Sequence, residues 1–220
     1  MKKQVLVIGL DRFGASLAKT LVNIGHEVLA VDIDEKKVQS VAPQVTRSVQ
    51  ADATDEVTLK TLGVSNFDVA IVSIEAAIQN SVLSTILLKR LGVPFVVARA
   101  SNDLHGAILE KIGADKVVYP EREMGSRVAH ELMLRDVLDY IPVYYNYGVS
   151  KLATPPHSVG QTLSELGLGR EGKWGLAVLL IQRGKEVIVT PDRAEMVKQG
   201  DVLIVAGGDD KLEQFLHETD

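Results

Sequence analysis

The sequence predicts an α/β protein: a Rossmann-like, doubly wound parallel sheet of six strands, then a connecting helix and a small α+β carboxyl-terminal domain. Three observations carry this expectation. Short β-rich apolar runs alternate strictly with helix-period runs over the first 120 residues, the pattern of parallel strands joined by crossover helices. The strand runs are almost continuously apolar, as in Val5-Leu6-Val7-Ile8, which suits a sheet covered on both faces. Beyond Pro120 the rhythm changes, and from Ile141 onward prolines, tyrosines and short alternating runs mark a second kind of architecture.

Taken in order, strands are expected at Gln4–Ile8, Glu27–Val31, Val45–Val49, Val69–Ile74, Phe95–Ala98 and Lys116–Val118. Between them Gly14–Asn23, Glu35–Val41, Glu56–Leu62, Ile78–Leu91 and Leu104–Ile112 carry apolar residues three or four apart, such as Leu17, Leu21 and Ile24, and read as crossover helices. Gly25, Gly63, Gly92 and Gly113 each follow a helical run, where a left-handed cap residue belongs. Met124, Val128, Leu132 and Met133 make Glu121 to Val137 the connecting helix, with Pro120 suited to its first turn.

The second domain is expected to hold a strand near Val149–Ala153 and a short helix near Thr162–Leu166. Strands at Leu176–Gln182 and Glu186–Thr190 would flank the turn Arg183-Gly184-Lys185, followed by a strand at Val202–Ala206 and a helix from Asp210 to His217. Domain limits of 1–138 and 139–220 follow. Trp174, Leu176, Val178 and Leu180 read as one strand face, Tyr144-Tyr145-Asn146-Tyr147 as junction packing, and His130 as solvent-facing.

Composition narrows the function classes. With 24 Lys+Arg against 29 Asp+Glu the net charge is −5, which disfavours nucleic acid and anionic lipid as partners, and 5% aromatic residues offer few stacking platforms. The absence of cysteine removes disulfides, thiolate metal sites and a cysteine nucleophile, a usage that fits a reducing compartment. The apolar run Trp174 to Ile181 falls far short of the ~20 residues that span a bilayer, so a soluble, unprocessed chain without direct membrane insertion is expected.

The chemistry-bearing residues sit where strands end. Gly9-Leu10-Asp11-Arg12-Phe13-Gly14 lies between the first strand and first helix, where a glycine-rich turn and a helix N-terminus hold phosphate. In the G-x-G-x-x-G fingerprint the middle glycine lets backbone approach pyrophosphate; here that position is Asp11, which brings bulk and negative charge and is expected to weaken binding of multiply charged phosphates. Asp32, at the end of the second strand, occupies the place of the acid that bonds a ribose hydroxyl, although it would also suit a helix cap. Asp52-Ala53-Thr54 and Arg99 fall at further strand ends, where ligands of open α/β sheets collect; taken singly, Asp52 would also serve as a cap and Arg99 as a surface ion-pair partner. Glu121 and Glu123 open the connecting helix, favouring its dipole or binding a divalent cation. The five histidines are scattered, and Ser-centred elbow, Walker lysine and HExxH motifs are absent, which sets an NAD(P)-dependent oxidoreductase behind a non-enzymatic reading.

In this order the pieces resemble one family over essentially the whole chain: Val5–Gly14 with Arg12-Phe13-Gly14, Gly25-His26-Glu27-Val28-Leu29-Ala30-Val31-Asp32, Asp52-Ala53-Thr54, Leu109 to Asp115, Pro120-Glu121 and Gly200-Asp201-Val202-Leu203. The chain resembles RCK proteins, regulators of potassium conductance that form cytosolic subunits of Trk- and Ktr-type bacterial potassium uptake systems. The resemblance implies an adenine nucleotide (ATP/ADP, NAD(H) or AMP), with Arg12 at the phosphates, Asp32 on ribose, Asp52 at adenine and Arg99 standing in for a basic residue near the phosphates. It implies that Glu121 meets the nucleotide or a bridging Mg or Ca ion at a subunit interface. It also implies a homo-oligomer built from dimers into an octameric ring, a potassium-channel or transporter membrane subunit as partner, and a cytoplasmic place at the inner face of the membrane. Cyclic di-AMP is a further ligand the resemblance allows for the carboxyl-terminal module, with Arg170 the arginine near the expected place. Asp11 departs from the family's glycine.

Overall fold

In the computed structural model, which describes residues 2–75, 77–133, 136–169 and 171–217, β1 (Gln4–Ile8) leads through a tight turn into α1 (Arg12–Asn23). The alternation continues through β2 (Glu27–Asp32), α2 (Glu35–Val41), β3 (Arg47–Gln50), α3 (Glu56–Thr61) and β4 (Val69–Val72). It closes with α4 (Ile78–Arg90), β5 (Phe95–Arg99), α5 (Asp103–Lys111) and β6 (Lys116–Val118). The strands form one parallel sheet in the order β3-β2-β1-β4-β5-β6, so the winding reverses between β1 and β4. That reversal opens a crevice at the carboxyl ends of the strands.

Alternation of side chains along the strands builds two cores. Leu6, Ile8, Leu29 and Val31 bury one face with Leu59, Leu87, Leu88 and Leu109. Val5, Val7, Val28, Ala30 and Ile71 bury the other with Ala18, Val38 and Val41. One strand end is shifted from expectation: β4 stops at Val72 rather than Ile74, with the Ser73 N–H giving the last ladder bond, to the Ile8 carbonyl at 2.7 Å. Helix α4 is apolar on most sides in sequence, yet it buries Ser81, Ser84 and Thr85 with Leu87 and Leu88. The Ser84 hydroxyl donates to the Ala53 carbonyl at 3.0 Å and the Thr85 hydroxyl to the Ser81 carbonyl at 2.8 Å, which satisfies those two hydroxyls, whereas the buried Ser81 hydroxyl has no hydrogen-bond partner among the described residues. Ile78 and Leu83 of α4, with Leu104 and Ile108 of α5, stay exposed.

The chain divides into two compact units between Glu121 and Arg122, within α6 (Pro120–Met133). The second unit is antiparallel, with β7 (Val137–Tyr144), β8 (Tyr147–Ala153), β9 (Ala177–Arg183), β10 (Glu186–Val189), β11 (Val202–Gly208) and α7 (Asp209–His217). Its sheet runs β10-β9-β11-β8-β7, and its core gathers Tyr140, Leu152, Leu168, Leu176, Ile181, Leu203, Leu212 and Phe215.

Several expectations are corrected here. The connecting helix, described from Pro120 to Met133, does not reach Val137, because Val137 opens β7, two residues before the second domain's expected start at 139. The tyrosine cluster forms the β7–β8 hairpin, with Asn146 at φ 56° in the turn, and Tyr144, Tyr145 and Tyr147 face outward rather than packing. Thr162–Leu166 makes turns and an isolated bridge from Thr162 to Met196, not a helix: Glu165 accepts from the Thr162 N–H at 2.8 Å and so holds a turn. A bulge skips Leu179 in the β9–β11 pairing, so Leu176 and Ile181 share the core side rather than Leu176 and Leu180. His130 stacks on Tyr140, ring centroids 3.9 Å apart, and meets Asp209, which also accepts from the Tyr140 hydroxyl at 2.8 Å. Burial, then Asp209, raises the Tyr140 phenol above its ordinary pKa.

Candidate functional site

The β1–α1 turn is shaped by two glycines. Gly9 has φ 91°, and a Cβ there would fall 2.6 Å from the Ser73 carbonyl oxygen. A Cβ on Gly14 would fall 1.9 Å from the Gly9 carbonyl oxygen, so α1 packs against the turn only because neither residue has a side chain. Asp11 sits between them in extended conformation and is the N-cap of α1, its Oδ1 accepting from the Gly14 N–H at 2.9 Å. The same oxygen accepts from the Ser73 hydroxyl at 3.2 Å.

Asp32 is buried at the end of β2, where its Oδ2 accepts from the Leu10 N–H at 2.6 Å and its Oδ1 from the Asp34 N–H at 2.9 Å. Lys37 on α2 lies 3.5 Å from Oδ2. The capping alternative belongs to its neighbour: Asp34, not Asp32, is the N-cap of α2. Likewise Asp55, not Asp52, caps α3, and the Thr58 hydroxyl, with the Thr58 and Val57 N–H groups, holds the Asp55 carboxyl below its usual pKa. Asp52 instead shapes the loop after β3, accepting from the Thr54 N–H at 2.8 Å and hydroxyl at 2.7 Å.

Arg99 at the end of β5 is 4% exposed, so it is no surface ion-pair residue. Its guanidinium contacts Asp11, Glu121 and, at 3.3 Å, Glu75, and lies 5.5 Å from the centroid of the Phe13 ring. Burial opposes its charge, but Asp11 and Glu121 outweigh that and hold Arg99 above its ordinary pKa.

A cavity of about 300 Å³ opens over this crevice. Gly9, Asp11, Asp32, Asp52, Ala53 and Thr54 line it, so the sequence-predicted residues of three successive strand ends do come together. Leu10 is buried in the core and offers only its N–H, to Asp32. Arg12 is exposed, Gly14 lies inside the α1 packing, and Phe13, Arg99 and Glu121 stand behind Asp11 rather than in the lining. Lining residues that sequence reasoning missed include Ile33, Lys37, Ser73, Ile74, Glu75 and Asn80. The segment after β4 was findable, because β4 flanks the reversal in strand order and its carboxyl end must border the crevice. Among the described residues, no group of three or more His, Cys, Asp or Glu is arranged to hold a metal ion.

Residues 5–120 match the TrkA-N domain family and residues 150–219 the TrkA-C domain family. The chain is 44% identical over 215 residues to the Ktr system potassium uptake protein C of Bacillus subtilis (strain 168), covering 98% of this chain and 96% of that protein. It is 38% identical over 216 residues to the Ktr system potassium uptake protein A of the same organism, with the same coverage of 98% and 96%. Among solved structures, the GsuK RCK domain superposes with a TM-score of 0.66 at 20% identity, over all of this chain and 49% of that one. The GsuK channel bound to NAD superposes with a TM-score of 0.64 at 19% identity, over 98% of this chain and 39% of that one, so this chain spans half or less of those chains. At these identities the structural likeness establishes the fold.

Proposed function

The chain belongs to the RCK family of Trk- and Ktr-type potassium uptake proteins, and from that membership we propose that it is a regulatory subunit. In this reading it gates potassium flux through a membrane partner when an adenine nucleotide occupies the crevice between β1 and β4. The observation that carries the reading is Asp32: its buried carboxylate is fixed by Leu10 and Asp34 at the switch point, beside a cavity that Asp52-Ala53-Thr54 borders. A carboxylate oxygen has two lone pairs, so Oδ1 keeps one to accept from a ribose hydroxyl. Support for an adenine-bearing ligand comes from the GsuK structures described as bound to NAD and to ADP. The named relatives are potassium uptake proteins, which favours gating over an NAD(P)-dependent oxidoreductase.

The protein acts from the cytoplasmic face through its partner; among the described residues, no helix is long and apolar enough to cross a membrane. Binding shifts an equilibrium only through different affinity for the two states, so a ring of paired subunits is the element that ligand would bias. The exposed Ile78 and Leu83 of α4 and Leu104 of α5 are the faces that a second copy would cover. Light scattering is expected to show a dimer or a larger ring; a concentration-independent monomer contradicts ring gating. A Mg or Ca ion held through Glu121 between subunits would compete with Arg99 for that carboxylate. The cyclic di-AMP reading rests on Arg170, which lies outside the described residues.

Potassium uptake tests the proposal directly. In cells without their own uptake systems, expressing a Ktr-type membrane subunit with this chain is expected to change flux several-fold relative to the membrane subunit alone, and Asp32→Ala is expected to blunt the change. Equal flux with and without the chain contradicts the regulatory role.

A further inference from the structure

Three groups around the β1–α1 turn have the chemistry to bind a phosphate: the N-terminal N–H groups of α1, a serine hydroxyl at the end of β4 and a buried guanidinium at the end of β5. One N–H of that terminus, the serine hydroxyl and the guanidinium all converge on the Asp11 carboxylate. Its Oδ1 accepts from the Gly14 N–H at 2.9 Å and the Ser73 hydroxyl at 3.2 Å, and its Oδ2 binds Arg99. The Nη2 nitrogen of Arg99 contacts Glu121 and, at 3.3 Å, Glu75. Three carboxylates on one guanidinium leave two net negative charges before any ligand arrives.

The cavity repeats this balance. Its described lining contains four carboxylates, Asp11, Asp32, Asp52 and Glu75, against one ammonium, Lys37, which already lies 3.5 Å from Asp32. A diphosphate would bring further negative charge to a place where Asp11 already takes the Gly14 N–H, the Ser73 hydroxyl and one nitrogen of Arg99, and where like charges wait. A nucleoside fits far better. Asp32 is set for ribose hydroxyls, and Ile33, Ile74, Ala51 and Ala53 offer apolar surface to a base. The volume of about 300 Å³ is at the small end of ligand pockets, which run from about 300 to 1,000 Å³.

We propose that Asp11 is a built-in anion filling the phosphate subsite, so that this site takes an adenosine moiety and gains no affinity from a phosphate chain. The proposal rests on the adenine-nucleotide reading and narrows its ligand class. Its test is calorimetry of adenosine, ADP and ATP, in the presence of a chelator, against the wild-type chain, Asp11→Gly and Asp11→Asn. Asn caps a helix as well as Asp does, so Asp11→Asn keeps the α1 terminus while removing the charge.

The wild-type chain is expected to bind all three ligands within about threefold of one another, and both variants to gain about tenfold or more for ADP and ATP while leaving adenosine unchanged. Wild-type affinity for ADP or ATP about tenfold above that for adenosine overturns the proposal, as does the absence of any gain in both variants. ADP binding to Asp11→Gly without adenosine binding to the wild-type chain overturns it too, yet leaves the adenine-nucleotide reading standing. Failure of all three ligands with all three proteins removes that reading as well.

Discussion

Asp32→Ala is expected to weaken binding of adenosine and of adenine nucleotides by about 1.5–3 kcal/mol, roughly 10- to 150-fold, because a charge-assisted hydrogen bond to ribose is lost. The structure adds a second cost. Asp32 also accepts from the buried Leu10 N–H, so the variant leaves that donor unpaired and loosens the turn on which Gly9 and Asp11 depend. An unsatisfied buried donor costs about 1–3 kcal/mol of stability. Asp32→Asn separates the two effects: it keeps an acceptor for one N–H while removing the charge. Calorimetry reads the affinity and a thermal melt reads the fold. A folded Asp32→Ala variant with unchanged affinity would reduce Asp32 to an organiser of the loop.

The second large effect is expected far from the crevice, at Asp201→Asn. Asp201 is 1% exposed and takes two hydrogen bonds from Arg183, at 2.9 and 2.8 Å, and one from the Lys198 N–H at 2.9 Å. Burial alone would raise its pKa, but the Arg183 hydrogen bonds, the Lys198 N–H and the charges of both residues hold the carboxyl below its usual value. Breaking a buried pair costs about 3–5 kcal/mol; Arg183 retains Glu195 and the Met196 carbonyl, so about 2–3 kcal/mol is expected at neutral pH.

The sign with pH follows from the depressed value. The charged pair stabilises the folded state above the ordinary aspartate pKa of about 3.9, and that contribution is lost as pH falls through the lower folded value. Urea unfolding followed by Trp174, the single tryptophan, reports on this unit because Trp174 packs against its core. The gap between wild type and Asp201→Asn should be full at pH 7 and close in acid. A gap that is absent at pH 7, or unchanged in acid, contradicts the account.

Much of the first unit was legible because one rule governs it. Continuous apolar strands and amphipathic helices specify a doubly wound sheet, and the crossover rule then fixes which strand ends border the crevice, bringing Gly9, Asp32 and Asp52 together. What stayed hidden depends on side chains meeting across long sequence separations. Nothing near Asp11 in the chain announces that Arg99 and Ser73 will point at it; the pairing exists because β4 and β5 follow β1 in the sheet. In the second unit, β7 was concealed by Pro142 and by the helix-like spacing running into Val137, and the bulge at Leu179 interrupted a period that sequence alone would continue. The apolar pattern of α4 did not show that Ser84 and Thr85 lie on its buried face, where each hydroxyl bonds to a nearby carbonyl.

The central claim is that the crevice at Asp32 holds an adenine-bearing ligand. Mass analysis of small molecules released on denaturing the gently purified protein tests it most directly, with Asp32→Ala purified in parallel. The account predicts an adenine-bearing compound at near-stoichiometric amount from the wild-type chain and a severalfold lower amount from the folded variant. An equal yield from both proteins, or no adenine compound from the wild-type chain together with no binding of added adenosine or ADP, would contradict it.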